Sequence, residues 1–185
     1  MMSSFRQSYS LLLTYFLIFN SAPMTDKKKT LDRIDRKLLE ILQKNGRISN
    51  VELAERVALS PTPCLERVRR LEREGYIKSY VALADGNKLK ANTLAFIQVL
   101  LTNTSTANLK AFNELMKGIT EVESCHMVAG GFDYLLKIRC TDMQHYQRFL
   151  GEKLATIPLV SQTHTYVVIE EVKAETAIPV RADVQ

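Results

Sequence analysis

Between residues 31 and 74, apolar side chains recur every three or four positions, the spacing of helices that bury one stripe. Ile34, Leu38, Ile41 and Leu42 mark the first such helix. Asp32 stands where a cap is needed, and Asn45-Gly46 supplies the left-handed stop expected past its end. Ser49-Asn50-Val51-Glu52 reads as a capping box, in which the serine hydroxyl and the glutamate carboxylate each satisfy a free amide, and Val51, Leu53, Ala54 and Val57 form the core face of that second helix. A third helix opens at Ser60, with Pro61 and Pro63 in the first turn where a missing amide hydrogen costs least. Cys64, Val68 and Leu71 form its apolar stripe, and Gly75 ends it. Residues Tyr76 to Leu83 then alternate like a strand, with Asp85-Gly86 as a turn, which predicts a small wing.

From Thr93 the pattern changes. Apolar runs at Leu94–Leu101, Val122–Ala129, Tyr134–Arg139 and Val160–Ile169 predict four strands. Helical spacing over Ala107–Lys117, with Leu109, Phe112, Leu115 and Met116 inward, and over Met143–Ala155, with Tyr146, Phe149, Leu150 and Leu154 inward, predicts two helices between them. The fold class is therefore α+β: an N-terminal winged helix-turn-helix domain over 31–91, with the helix-turn-helix at about 50–72, followed over 92–173 by a ferredoxin-like βαββαβ domain and a C-terminal tail over 174–185. Two helices cover one sheet face in such a domain. The other face needs a cover, and a second copy of the chain is the economical candidate.

Charge sharpens this division. The net charge is +5, distributed as +3 over residues 1–30, +4 over 31–90 and −2 over 91–185, which suits a polyanion-binding front and a self-associating back. Cys64, Cys125 and Cys140 are scattered and share no C-x-x-C spacing, so a disulfide framework and a zinc site are both unsupported and a reducing compartment is expected. Residues 1–23 resemble a signal peptide, with Arg6 before the apolar run Leu11–Phe19 and small residues Ser21 and Ala22 after it, although the run is too short to span a bilayer. Met24 opens the polar stretch that leads into the first helix. The expectation is a start at Met24, with no membrane role and a cytoplasmic, nucleoid-associated protein.

Two short helices joined by a tight turn, the second basic, form the geometry that places a helix end in the major groove of double-stranded DNA. Ser60, Thr62, Pro63 and Glu66 are the candidates for base edges, and Arg47, Arg69, Arg70 and Arg73 for phosphates. Ser49, Asn50 and Arg67 complete the candidate set. The competing interpretation is a solvated charged helix in which Glu66, Glu72 and Glu74 pair with the arginines three or four residues away.

In the second half, Gly130-Gly131 can let the backbone approach a ligand, and Asp133 carries a carboxylate suited to an ammonium group; a plain hairpin turn fits the same spacing. His126, His145 and His164 have no metal-ligand spacing. No nucleophile–base pair, phosphate loop or carboxylate dyad is evident, so neither catalysis, a metal nor a cofactor is expected.

Three stretches resemble the Lrp/AsnC family of transcription regulators: Asp32-Arg33-Ile34-Asp35, Gly46–Leu53 and Leu59–Glu72. The likeness continues through Glu123–Gly130, Phe132–Lys137 and Thr165–Val168, and covers about 31–173. It implies a DNA-binding domain, a C-terminal domain that pairs into dimers and assembles into octamers or similar rings, and a small amino-acid effector bound between dimers. Leucine is the first candidate effector, with methionine, asparagine and alanine as the alternatives for a paralogue, and an amino-acid-sensing module without DNA binding as a more distant one. Carried over by position, the effector site uses Met127, Gly130, Gly131 and Asp133, with Met143, Tyr166 and Val167 nearby. The family loop commonly has a small hydroxyl residue before the glycine and an acidic residue after it, where this chain has Ala129 and Gly131.

Overall fold

The computed structural model describes residues 30–180, so the expectations about Met1–Pro23 and a start at Met24 lie outside the described residues. Two compact units are formed. One runs up to residue 83 and takes in the chain again from residue 172; the other is residues 84–171.

The first unit is built on three helices, α1 (Arg33–Lys44), α2 (Asn50–Arg56) and α3 (Pro61–Arg73). Leu38, Leu39, Leu53, Ala54, Val57, Cys64, Val68 and Leu71 close into one core. Val51, expected on the core face of α2, is 57% exposed, because its position falls outside the Leu53–Ala54–Val57 face. The reciprocal capping box sits on α1 rather than α2: Asp32 accepts from the Asp35 amide and Asp35 accepts from the Asp32 amide. At α2 only half the predicted box forms. Ser49 Oγ accepts from the Glu52 amide, while the Glu52 carboxylate pairs with Arg56 at 2.7 Å.

The turns also differ in detail from expectation. Neither Asn45 nor Gly46 has positive φ, whereas Ala58, in the turn between α2 and α3, does at 55°. Gly75 closes α3 at φ 76°, a conformation that favours a residue without Cβ. Residues 76–83 form no strand and join no ladder among the described residues, so the predicted wing strand is not formed. Alternation alone supplies strand-like faces; a ladder also needs a second strand, and the described residues of this unit have none.

Within the C-terminal tail, the described residues around Ile178 and Val180 make contacts in the first unit. Gln43 Nε2 donates to the Ile178 carbonyl at 3.0 Å and its Oε1 accepts from the Ile178 amide at 2.6 Å. Val180 rests on the three-helix core. Thr176, Ile178 and Pro179 line a groove of about 740 Å³ with α1 and residues 76–80.

The second unit has β1 (Thr93–Leu101), α4 (Thr106–Lys117), β2 (Val122–Met127), β3 (Tyr134–Cys140), α5 (Met143–Arg148) and β4 (Val160–Val167), with α5 widening to a π-helical turn over Phe149–Leu154. The sheet order β2-β3-β1-β4 is fully antiparallel and is that of the predicted ferredoxin-like sandwich. Alternation on β1 sends Ala95, Ile97, Val99 and Leu101 to the helices, where they meet Tyr134, Leu136, Ile138 and Cys140 of β3. Leu115, expected inward, is 47% exposed, since Leu109, Phe112 and Met116 already fill that face of α4.

Among the described residues no helix covers the opposite sheet face, although Leu94 at one end of it is buried. Register places His126, Leu135, Gln98 and His164 in one row across all four strands, and Lys137, Phe96 and Tyr166 in the next. Tyr166 is 55% exposed, and Phe96 and Leu135 are only half-buried.

Candidate functional site

Helical spacing divides α3 into three stripes. Cys64, Val68 and Leu71 face the core. Thr62, Glu66, Arg69 and Arg73, spaced four, three and four apart, are all exposed. Pro63, Arg67, Arg70 and Glu74 form a half-buried flank.

Two arginines of the candidate DNA-binding set, Arg67 and the predicted phosphate-binding Arg70, lie on that flank, and each is engaged within the unit. Arg67 donates to Asp32 Oδ2 at 2.5 Å and to Asp35 Oδ1 at 2.9 Å, and Arg70 donates to Asp35 Oδ2 at 2.5 Å. Their guanidiniums are therefore paired with carboxylates of the α1 start. The Asp32 carboxyl feels desolvation, which pushes it up, but the Asp35 amide and the Arg67 guanidinium outweigh that and hold it at about 2. The pairing imagined within α3 is mostly absent: Arg70 meets Glu74 only at 3.8 Å, and Glu72 accepts from the Tyr80 hydroxyl at 2.9 Å. Burial, and then that bond to Glu72, push the Tyr80 phenol up to about 12.

Arg47, Arg69 and Arg73 are exposed and have no carboxylate partner among the described residues. Ser60 is the N-cap of α3, but its hydroxyl makes no capping bond, so it and Thr62 stand at the helix mouth with free hydroxyls. Asn50 is used internally, its Nδ2 donating to the Pro61 carbonyl at 2.8 Å and tying α2 to the start of α3. Ser49 is the N-cap of α2.

Asp35 stands outside the residues expected at the site, yet it holds both arginines. Its signal was present: it shares one α1 face with Leu38, Leu39 and Leu42, so a carboxylate stands within an apolar stripe.

In the second unit the loop 128–133 is pinned at its base. The Val128 amide donates to the Asp133 carbonyl at 2.9 Å, and the Asp133 amide to the Val99 carbonyl at 3.0 Å. Asp133 Oδ2 accepts from the Leu101 amide at 2.7 Å, beside the irregularity at Leu100/Leu101. One carboxylate oxygen thus has a structural partner and the other stays available. Gly130 and Gly131 have ordinary φ, and a Cβ at either would meet nothing within 4 Å, so no close backbone approach within this chain requires glycine there.

The predicted effector residues do not converge in one chain. Met127 and Asp133 lie at the Val99–Leu101 end of β1, whereas Tyr166 and Val167 pair with Phe96 and Ala95, roughly 13 Å back along the strand. Met143 follows Cys140, which pairs with Thr93 at that same far end. Of these residues only Met127 lines the groove of about 560 Å³ between α4 and β2. Among the described residues there is no group of three or more side chains able to hold a metal, and no helix long and apolar enough to cross a membrane.

Comparison with known proteins agrees with both units. Residues 31–78 match the winged helix-turn-helix DNA-binding family and residues 94–178 the Lrp/AsnC ligand binding domain family. The chain is 50% identical over 162 residues to the leucine-responsive regulatory protein of Escherichia coli (strain K12), covering 85% of this chain and 99% of that protein. It is 51% identical over 153 residues to the leucine-responsive regulatory protein of Serratia marcescens, covering 83% and 93%. Among solved structures, a transcriptional regulator of Neisseria meningitidis in complex with L-Met is 38% identical with a TM-score of 0.78, covering 81% of this chain and 97% of that one. An AsnC family transcriptional regulator from Agrobacterium tumefaciens is 32% identical with a TM-score of 0.77, covering 80% and 97%.

Proposed function

The chain belongs to the Lrp/AsnC family of transcription regulators, and from that premise we propose that it binds double-stranded DNA through α3 and changes its DNA binding or assembly when a small amino acid occupies the second unit. The observation that carries the reading is the outer stripe of α3: Thr62, Glu66, Arg69 and Arg73 are exposed together, and both arginines lack an internal partner among the described residues. Ser60, Thr62, Pro63 and Glu66 stand at the end that would approach base edges, while Arg47, Arg69 and Arg73 hold phosphates and set register.

The effector is a free amino acid, leucine first, since the relatives at 50% identity are leucine-responsive regulatory proteins. The L-Met complex of the Neisseria relative makes methionine the second candidate. Asp133 meets the ligand ammonium with its remaining oxygen. Because Met127, Gly130, Gly131 and Asp133 lie far from Met143, Tyr166 and Val167 in one chain, the ligand is held between copies, with different copies supplying the two groups. The uncovered sheet face supplies the dimer contact, and dimers assemble further, with an octamer as the expected ring. Several DNA-binding units displayed together then gain avidity on spaced half-sites, and the effector acts through a coupling free energy of about 1–3 kcal/mol. A cytoplasmic, nucleoid-associated location follows from this role.

Fluorescence anisotropy tests the reading directly, using the full chain and the DNA upstream of its own gene, at two salt concentrations, with and without leucine. Binding tighter than to scrambled DNA, and moved by leucine, is the expected result. Specific binding moved only by methionine, asparagine or alanine assigns a different effector. Equal binding to both DNAs, lost with salt, leaves only the phosphate contribution and contradicts sequence-specific regulation.

A further inference from the structure

Asp35 is 1% exposed on a helix face otherwise made of leucines. A carboxylate so placed is costly unless it is paired and hydrogen-bonded, and here it is fully occupied. Arg67 reaches Oδ1, Arg70 reaches Oδ2, and the Asp32 amide donates to Oδ2 at 3.1 Å. Asp32 adds a second anchor on Arg67. Apolar contact through Cys64, Val68 and Leu71 holds α3 against the core but is not directional. The charged bonds are directional, and Arg67 and Arg70 are three residues apart on one flank, so together they fix both the rotation of α3 about its axis and its slide along α1.

We propose that Asp35 is a positioning residue for sequence discrimination: it sets the rotation at which α3 presents Thr62, Glu66, Arg69 and Arg73, and it withholds Arg67 and Arg70 from the DNA backbone. This rests on the DNA-binding reading above. Phosphate contacts raise affinity for every sequence alike. Two arginines beside the reading stripe, if free, would strengthen binding to any DNA while adding no discrimination. The clamp therefore acts on specificity from both sides. Arg70 keeps one donor in reserve, since its Nη1 is buried without a hydrogen-bond partner and lies 3.8 Å from Glu74.

The test uses the full chain, a duplex selected from a random pool by the wild-type chain, and a scrambled duplex of equal length, titrated at several salt concentrations with thermal unfolding measured in parallel. Asp35→Asn is expected to lose about tenfold or more in affinity for the selected duplex, to hold or gain affinity for the scrambled one, and to steepen the salt slope by about 0.9 for each arginine released. A role confined to stability would lower both affinities together, in step with the folded fraction, and would overturn the proposal. Arg67→Gln serves where Asp35→Asn does not fold: the salt slope on scrambled DNA is expected to stay unchanged, whereas Arg69→Gln flattens it by about 0.9. Equal flattening by Arg67→Gln and Arg69→Gln would show Arg67 on the phosphates and overturn the proposal. A wild-type chain that selects no sequence contradicts the DNA-binding reading itself, and this inference with it.

Discussion

The three-helix unit and the αβ unit treat their surfaces in opposite ways. In the first, α1, α2 and α3 close one core on which Val180 of the returning segment also packs, and the outer stripe of α3 is polar and charged, while Val51, Val81 and Leu83 stay exposed. In the second, the helices seal one sheet face over Phe112, Tyr134 and Phe149, while Phe96, Leu135 and Tyr166 stay uncovered on the other. The first unit encloses its core with its own helices. The second is complete as a topology but not as a buried surface, and its candidate ligand residues are split between two ends of the sheet. That difference in burial separates the unit proposed to act by presenting side chains from the unit proposed to act by joining copies.

The strongest way to break this contrast is to put a charge on the open face. Leu135→Glu is expected to abolish assembly, at a cost on the order of 3 kcal/mol or more for an unpaired carboxylate at an interface, with light scattering reporting a monomer. Unchanged mass would show that the face is not where copies meet.

Acid probes the αβ unit next. Glu121 is 8% exposed, takes Lys153 at 2.5 Å and lies 3.3 Å from His145. Desolvation opposes its ionisation, but the Lys153 bond outweighs it and holds the carboxyl at about 2 against an ordinary 4.5. A lowered carboxyl contributes stability that is complete above about pH 4.5 and is lost as pH falls toward 2. That loss is on the order of 3 kcal/mol in the αβ unit. Glu121→Gln should flatten this acid limb in denaturant titrations between pH 5 and pH 2, and an unchanged limb would mean that the Lys153 pair contributes nothing.

Asp133→Asn sharpens the contrast within the second unit. It keeps an acceptor for the Leu101 amide but removes the charge, so calorimetry should show the amino-acid response lost, including the coupling of about 1–3 kcal/mol, with the thermal midpoint nearly unchanged. The smallest effect is expected at Gln43. Its two bonds to Ile178 are exposed, and Gln43→Ala should cost about 1 kcal/mol, seen as faster proteolysis near residue 178.

The helices and strands were legible because each is set by local spacing, and so was the core stripe of α3. The partners of Arg67 and Arg70 were not, since they lie 32 to 35 residues away on α1 and spacing within α3 says nothing of them. The clue was Asp35 in an apolar stripe, readable once α1 is asked what a buried carboxylate faces. The segment after Gly75 shows the converse failure, because alternation predicted a strand where the described residues of the unit offer no second strand to pair it. The effector residues were named through the family resemblance. Their separation along β1 required the register of β1 with β3 and β4, which no single segment encodes.

One measurement tests the contrast between the units most directly: amino-acid uptake and DNA binding of the Leu135→Glu chain, by calorimetry and anisotropy on the same preparation. The account predicts a monomer that still binds DNA, more weakly for want of avidity, and takes up neither leucine nor methionine. A monomer that binds either amino acid with wild-type affinity would place the whole effector site within one chain and contradict it.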